Sequence, residues 1–182
     1  MSKANGSDWI NAGLSALATG GIGALKAEPV ARALGVSKGS FYWHFQDVNA
    51  YHSAVLESWE HAEAAAITLS AFMDGTAENG LRAIVARFVG SEMYDSVCIE
   101  VAIRHWARQS EAAKRSVRRV DHQRLRLLQD SLARMGLTNP NIAETLYSCI
   151  IGAQSLRVTD DVPRDHVLQT QIDMMIALAQ SD

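Results

Sequence analysis

The stretch "LGVSKGSFYWHF", residues 34–45, decides how the rest of the chain is read. Its aromatics Phe41, Tyr42, Trp43 and Phe45 crowd directly behind the small polar run Ser37, Lys38, Gly39 and Ser40. A helix buried on one side needs aromatics on one face only. On a helical wheel Phe41 and Phe45 stand four apart, on the side that meets Leu34 and Val36, and form an inner face. Lys38 and Tyr42 share a second stripe, and Ser40 lies beside Trp43 and His44; this set can face outward.

The neighbouring sequence sets this segment in a helix-turn-helix. Apolar residues recur at helical spacing on both sides of it, and no stretch alternates as a strand would. Ser7 is the expected cap of a first helix carrying Ile10, Leu14 and Leu17. Glycines 20, 21 and 23 end that helix, because glycine accepts the left-handed backbone of a helix exit. A second helix is expected from about Pro29, where a missing N–H is harmless, and stops at Gly35. Ser37 is the expected cap of a third, running to about Phe45. Two short helices joined by the glycine-containing turn "ALGVS" suggest a helix-turn-helix, whose second helix offers its N-terminal residues to the major groove. Gly39 and Ser40 permit close approach to a base edge, while Lys38, Tyr42 and His44 offer donors to phosphates or bases. Spacing alone is also compatible with a tightly packed corner of an α-helical bundle.

Asp47 is the expected cap of a fourth helix running to about Phe72. Further helices are expected at about 77–93, 97–108, 110–135, 140–157 and 164–180. The fold class expected is therefore all-α, with nine helices, a three-helix head over residues 1–46 and a six-helix body over residues 47–182. In the 110–135 helix, Val117, Val120, Leu128, Leu132 and Met135 form the apolar stripe. Arg115, Arg118, Arg119, His122 and Arg126 fall on the other side.

The segment "VARALGVSKGSFYWHFQDVNA" resembles the DNA-binding signature of the TetR family of bacterial transcriptional repressors. The residues that carry the resemblance are Val30-Ala31, Leu34-Gly35-Val36-Ser37, Gly39, Phe41-Tyr42 and His44-Phe45, within a match over roughly residues 8–60. "AIRHWARQSEAAKRSVRRVDHQRL" is similar to the helix 6–7 region of some members. The resemblance implies a DNA-binding head and a body that binds a small molecule and pairs with a second copy through its last two helices. DNA contacts carry over to Ser37, Lys38, Gly39, Ser40, Tyr42, Trp43 and His44. Lys26 takes the place, at the start of the second helix, where the family often has a threonine that touches phosphate; lysine can do the same but is a poor N-cap.

The chain departs from the family at three points. Val48 stands where a phosphate-contacting lysine is frequent, Tyr51 stands at a leucine position, and the basic arm before the first helix is reduced to Lys3. Each lost cation weakens affinity and flattens its salt dependence. A helical dimer that has lost DNA binding and serves as a protein- or ligand-binding module is the alternative reading.

In the body, Trp59, Phe88, Met93, Trp106 and Tyr147, with His105 and Gln154 as polar handles, are candidates to line a pocket. Each aromatic also reads as ordinary core. The lack of a dominant charge among them points to an apolar or aromatic effector. Small residues on the 140–157 helix (Ser148, Gly152, Ala153, Ser155) and Val167, Met174, Met175 and Leu178 on the last helix suit either a four-helix dimer interface or internal packing. The region from Arg104 to Arg126 is the most basic; it reads as a solvated helical face with some arginines paired to acids such as Glu111 and Asp121, or as a second nucleic-acid surface.

The formal net charge of −3 argues against a chain that coats nucleic acid everywhere, but not against a local basic surface. No HExxH motif, phosphate loop or nucleophile elbow occurs, so neither an enzyme nor a cofactor is expected. Glu57 and His61 share a helix face but lack a third metal ligand. Cys98 and Cys149 form no disulfide framework and are expected as buried small hydrophobes. The start "MSKANGSDW" lacks the pattern of an export signal, and no segment suits a bilayer span, so a cytoplasmic location is expected.

Overall fold

A computed structural model describes residues 4–71, 76–89, 94–160, 162 and 164–179, and among them every regular element is a helix. The elements are α1 (Gly6–Gly20), a 3₁₀ turn (Ile22–Ala24), α2 (Ala27–Leu34), a 3₁₀ helix (Lys38–Trp43), α3 (Val48–Ala71), α4 (Ala77–Val89), α5 (Tyr94–Trp106), α6 (Glu111–Ala133), α7 (Pro140–Asp160) and α8 (Asp165–Ala179). Each of the nine expected helical segments is present among the described residues, with one correction of type. The third is a six-residue 3₁₀ helix, not an α-helix reaching Phe45.

Several ends differ from the sequence reading for local reasons. The cap of α1 is Asn5, not Ser7. Asn5 accepts from the Asp8 amide at 3.0 Å, and Asp8 returns a bond to the Asn5 amide at 2.8 Å, a reciprocal capping box. α2 begins at Ala27, two residues before Pro29, and its N-cap Lys26 makes no side-chain capping bond. Gly35 ends it in the left-handed region, at φ 66°. Ser37 occupies the cap of the 3₁₀ helix, but it is its carbonyl that serves there, accepting from the Ser40 amide at 3.0 Å and the Ser40 hydroxyl at 2.6 Å. Asp47 caps α3 as expected, accepting from the Ala50 amide at 2.8 Å.

The chain forms two compact units: Met1–Ala62 with Cys98–Arg119, and Glu63–Val97 with Val120–Asp182. The divisions fall inside α3, α5 and α6. The first unit is organised around Trp9, Leu17, Leu25, Val30, Phe41, Tyr51 and Val55, none of them exposed. Its α3 also carries Glu60, which receives both arms of the Arg119 guanidinium at 2.7 Å each.

The second unit has its own apolar core, built from Leu81, Ile84, Val85 and Phe88 of α4, Leu127, Leu128 and Leu132 of α6, Leu146 and Ile150 of α7, and Leu168 and Ile172 of α8. Arg82 ties α4 to α8, donating to Gln169 at 2.8 Å and pairing with Asp173 at 2.5 Å. The α6 stripe holds: Val117, Val120, Leu128 and Leu132 are buried, Met135 is half-buried, and Arg115, Arg118, Arg119, His122 and Arg126 are exposed. Arg124 is the exception within the basic region, buried to 2% exposure. Both cysteines are free and half-buried, not fully buried.

Candidate nucleic-acid interface

The geometry begins with the anchor. Phe41 has no exposed surface, and its ring meets Trp9 at 5.4 Å, Phe45 at 5.3 Å and Tyr51 at 5.3 Å between centroids. The edge-on approaches of Trp9 and Tyr51 suit aromatic quadrupoles. Phe45, half-buried, closes on Tyr51 at 4.8 Å. The Tyr51 hydroxyl donates to the Trp9 carbonyl at 2.7 Å. Burial pushes the Tyr51 hydroxyl far above the ordinary phenol range, so it stays a donor at any physiological pH. One aromatic cluster thus joins α1, the 3₁₀ helix and α3.

With Phe41 held inward, its neighbours are turned out. Tyr42 is 57% exposed and Trp43 88% exposed. Lys38, Gly39 and His44 are exposed as well, as is Ser37, and Ser40 is half-exposed. The 3₁₀ rise of about 2.0 Å per residue gives these six positions a length of about 12 Å, which fits a major groove. Ser40 spends its hydroxyl proton on the Ser37 carbonyl and keeps its lone pairs outward as acceptors. Lys26 is exposed at the start of α2, with its ammonium free of any capping role. The eight carried-over DNA-contact positions are therefore all at least partly accessible.

Charge is divided between the two units. The unit holding the head contains ten Lys/Arg against seven Asp/Glu, and the other contains seven against thirteen. The chain's net −3 thus hides a net +3 on the unit that carries Lys26, Lys38 and Tyr42. That distribution, not the total, sets attraction to a phosphate backbone.

The expected pocket residues fall in both units. Trp59 and Trp106 are buried in the first unit, and His105 there is exposed. Trp106 packs edge-on to His52, which bonds the Leu25 carbonyl through Nε2 at 2.9 Å. Phe88, Tyr147 and Gln154 are buried in the second unit and linked to one another. Gln154 donates to the Phe88 carbonyl at 2.8 Å, and Arg124 lies 4.8 Å over the Phe88 ring and 3.4 Å from the Tyr147 hydroxyl. Met93 lies outside the described residues.

Sequence reasoning missed the charged part of this group. Arg124 pairs with Glu63 at 2.6 Å, and the Tyr147 hydroxyl donates to Asp121 at 2.7 Å. The signal was available: residue 124 stands four after Val120 and four before Leu128, on the apolar stripe itself. Among the described residues no group of three or more His, Cys, Asp or Glu side chains could hold a metal, and no helix is long and apolar enough to cross a membrane.

Residues 10–47 match the family model described as bacterial regulatory proteins, tetR family. Over those residues the chain is similar to the N-terminal domain of the TetR family. The fold agrees along nearly the whole length. A transcriptional regulator from Rhodococcus superposes with a TM-score of 0.82 at 17% identity, covering 96% of this chain and 97% of that one. A regulator from Saccharomonospora viridis, solved in complex with choline, gives 0.80 at 10% identity, with 94% and 95% covered. NemR of E. coli in its reduced form gives 0.75 at 17%, with 93% and 94% covered. These identities carry the fold alone. Among curated proteins none matches the chain.

Within that TetR frame, the departures noted in the sequence have visible consequences. Tyr51 uses its hydroxyl to fasten α1, which a leucine cannot do. Val48, the first residue of α3, places a half-exposed apolar side chain where a cation is frequent.

Proposed function

We propose that the chain is a ligand-responsive transcriptional regulator that binds a palindromic operator as a homodimer, acts as a repressor and is released by a small-molecule effector. The observation that carries the reading is the split of one short helix: Phe41 is sealed inside while Lys38, Tyr42, Trp43 and His44 stand in solvent. Exposed aromatics of this size cost free energy in water. A duplex, with stacked bases and phosphates, is the surface that matches a phenol, an indole, an imidazole and an ammonium side by side.

Dimerisation is supported by the last two helices. Val167, Met174 and Leu178 of α8 and Leu156 of α7 are exposed apolar side chains. Ser148, Gly152 and Ser155 are exposed small residues on α7, and nothing within 4 Å would meet a side chain at Gly152. Such a face lets a partner helix approach closely. Two heads then read half-sites about one or two turns of DNA apart.

The effector site proposed uses Phe88, Tyr147 and Gln154 of the second unit; Trp59, His105 and Trp106 of the first unit, and Met93, are separate candidates. An apolar or aromatic effector with a hydrogen-bond donor suits the buried Gln154 Oε1, which has no partner. α3 runs unbroken from Val48, beside the head, to Ala71. Displacing it couples effector and operator by an energy typically about 1–3 kcal/mol, and by linkage each ligand weakens the other. No enzymatic step or cofactor is part of this proposal, and its setting is the cytoplasm.

Fluorescence anisotropy with duplex DNA from upstream of the protein's own gene tests the reading. Saturable, salt-sensitive binding of two chains per duplex is expected. A dimer that ignores DNA at low salt would instead favour the alternative, a helical module that binds proteins or ligands, for which Val48 is the supporting observation.

A further inference from the structure

We infer that Tyr51 is a positioning residue for the reading helix and that Gly13 is its obligatory partner, the two forming a size-matched lock between α3 and α1. This rests on the reading of residues 37–44 as the DNA-contacting surface.

The geometry is specific. Tyr51 touches the reading helix from below through Phe41 and Phe45, at 5.3 and 4.8 Å between ring centroids. Its hydroxyl reaches past them to the Trp9 carbonyl, and Trp9 closes the ring of contacts on Phe41 at 5.4 Å. The inner side of the reading helix is therefore held between two aromatics that are bonded to each other. Space for the hydroxyl exists only because residue 13 is glycine. A Cβ at Gly13 would overlap Tyr51 Oη, stand 2.9 Å from Cζ and 3.1 Å from Leu25 Cδ1.

Gly13 lies in mid-helix and is buried. Glycine there costs helix stability against alanine. No unusual backbone angle requires it, since the positive-φ glycines are Gly21, Gly35 and Gly136. Its small size is what the fold uses. A leucine at position 51 would leave the space at Gly13 empty and donate nothing to the Trp9 carbonyl. The lock orients Phe41, and Phe41 fixes the angle at which Tyr42, Trp43 and Lys38 leave the surface.

The test uses the full chain, at a temperature well below the melting point of the weakest variant, with two readouts. Hydrogen exchange of the Ser40, His44 and Phe45 amides, which close the 3₁₀ helix, reports how firmly the reading helix is held. Anisotropy with a duplex that the wild type binds reports the consequence for DNA. Tyr51→Phe keeps the ring and removes one neutral hydrogen bond; faster exchange at those amides and a threefold to tenfold rise in Kd are expected, with the salt slope unchanged. Gly13→Ala should loosen the same amides more strongly, and Gly13→Ala with Tyr51→Leu should restore them toward the Tyr51→Leu level.

A fall in Tm for Tyr51→Phe with exchange at 40, 44 and 45 and Kd unaltered would overturn the inference, leaving the bond a mere stabiliser. A Gly13→Ala chain that matches the wild type in exchange would overturn it too. If Gly13→Ala does not fold, the Tyr51→Phe arm still decides. If no duplex binds the wild type, the DNA reading fails on its own, and the exchange arm still decides whether the lock holds the helix.

Discussion

Gln154 of α7 donates to the Phe88 carbonyl at the end of α4, and this bond fixes which way its amide faces. A carbonyl can only accept, so the nitrogen must face Phe88 and Oε1 must face away. Oε1 is left as a buried acceptor without a partner. A buried acceptor in that condition costs about 1–3 kcal/mol.

Replacing Gln154 with glutamate tests the orientation through pH. A protonated carboxyl can donate to the Phe88 carbonyl; an ionised one has no proton to give, and burial penalises its charge. The folded-state pKa of that glutamate is thereby raised above its unfolded value. The variant's stability is then present at low pH and lost as pH rises through the folded pKa. Melting curves of Gln154→Glu and wild type should lie closest near pH 5 and diverge by about 2 kcal/mol or more near pH 8. A gap that does not widen with pH would mean that the amide does not face Phe88 as described.

Glu60 and Arg119 give the opposite sign. The side-chain hydrogen bond from Arg119 holds the Glu60 carboxyl below its ordinary value, and burial opposes this only in part. A depressed carboxylate stabilises above its unfolded pKa, about 4.3, and the contribution disappears as pH falls through the folded value. Arg119 is 56% exposed, so the pair should contribute well under about 1 kcal/mol. A double-mutant cycle of Glu60→Gln and Arg119→Gln should show a small favourable coupling at pH 7 that vanishes near pH 3. Equal coupling at both pH values would contradict the assignment.

The exposed apolar side chains of α8 lead to a prediction about assembly. Met174→Asp and Leu178→Asp alter residues that are 63% and 62% exposed in the single chain, so the chain itself should keep its melting behaviour at low concentration. If this face joins two copies, burying a carboxylate there should convert a dimer to a monomer by light scattering coupled to size exclusion. DNA affinity should fall with it, since one head has half the contacts. Dimers that persist in both variants would move the interface elsewhere.

How much of this was readable in advance follows from what periodicity can and cannot encode. The long helices announced themselves because apolar residues such as Val117, Val120, Leu128 and Leu132 recur at helical spacing. The third helical segment is where its cap and aromatics put it but is of another type, because six residues containing Gly39 hold too few turns to separate a period of 3.0 from 3.6. The cap of α1 was missed because Ser7 is an eligible residue, while the deciding feature was the three-residue spacing of Asn5 and Asp8. Arg124 was read as solvated because it sits among exposed arginines; burial of a charge depends on Glu63, sixty-one positions away. The candidate residues of the head could be named from the sequence because they are contiguous. The body's polar group could not, because Glu63, Asp121, Arg124, Tyr147 and Gln154 meet only through tertiary packing.

The most direct test of the central claim is a selection from a random duplex library with the purified wild-type chain, followed by Kd measurement on the enriched sequence. An inverted repeat with half-sites one or two turns apart is the expected product. Lys38→Ala should lower the salt slope by about 0.9 per chain, and Tyr42→Ala should weaken binding about tenfold, with both variants folded. No enriched sequence, or an enriched one that Lys38→Ala and Tyr42→Ala bind as tightly as the wild type, would contradict the account.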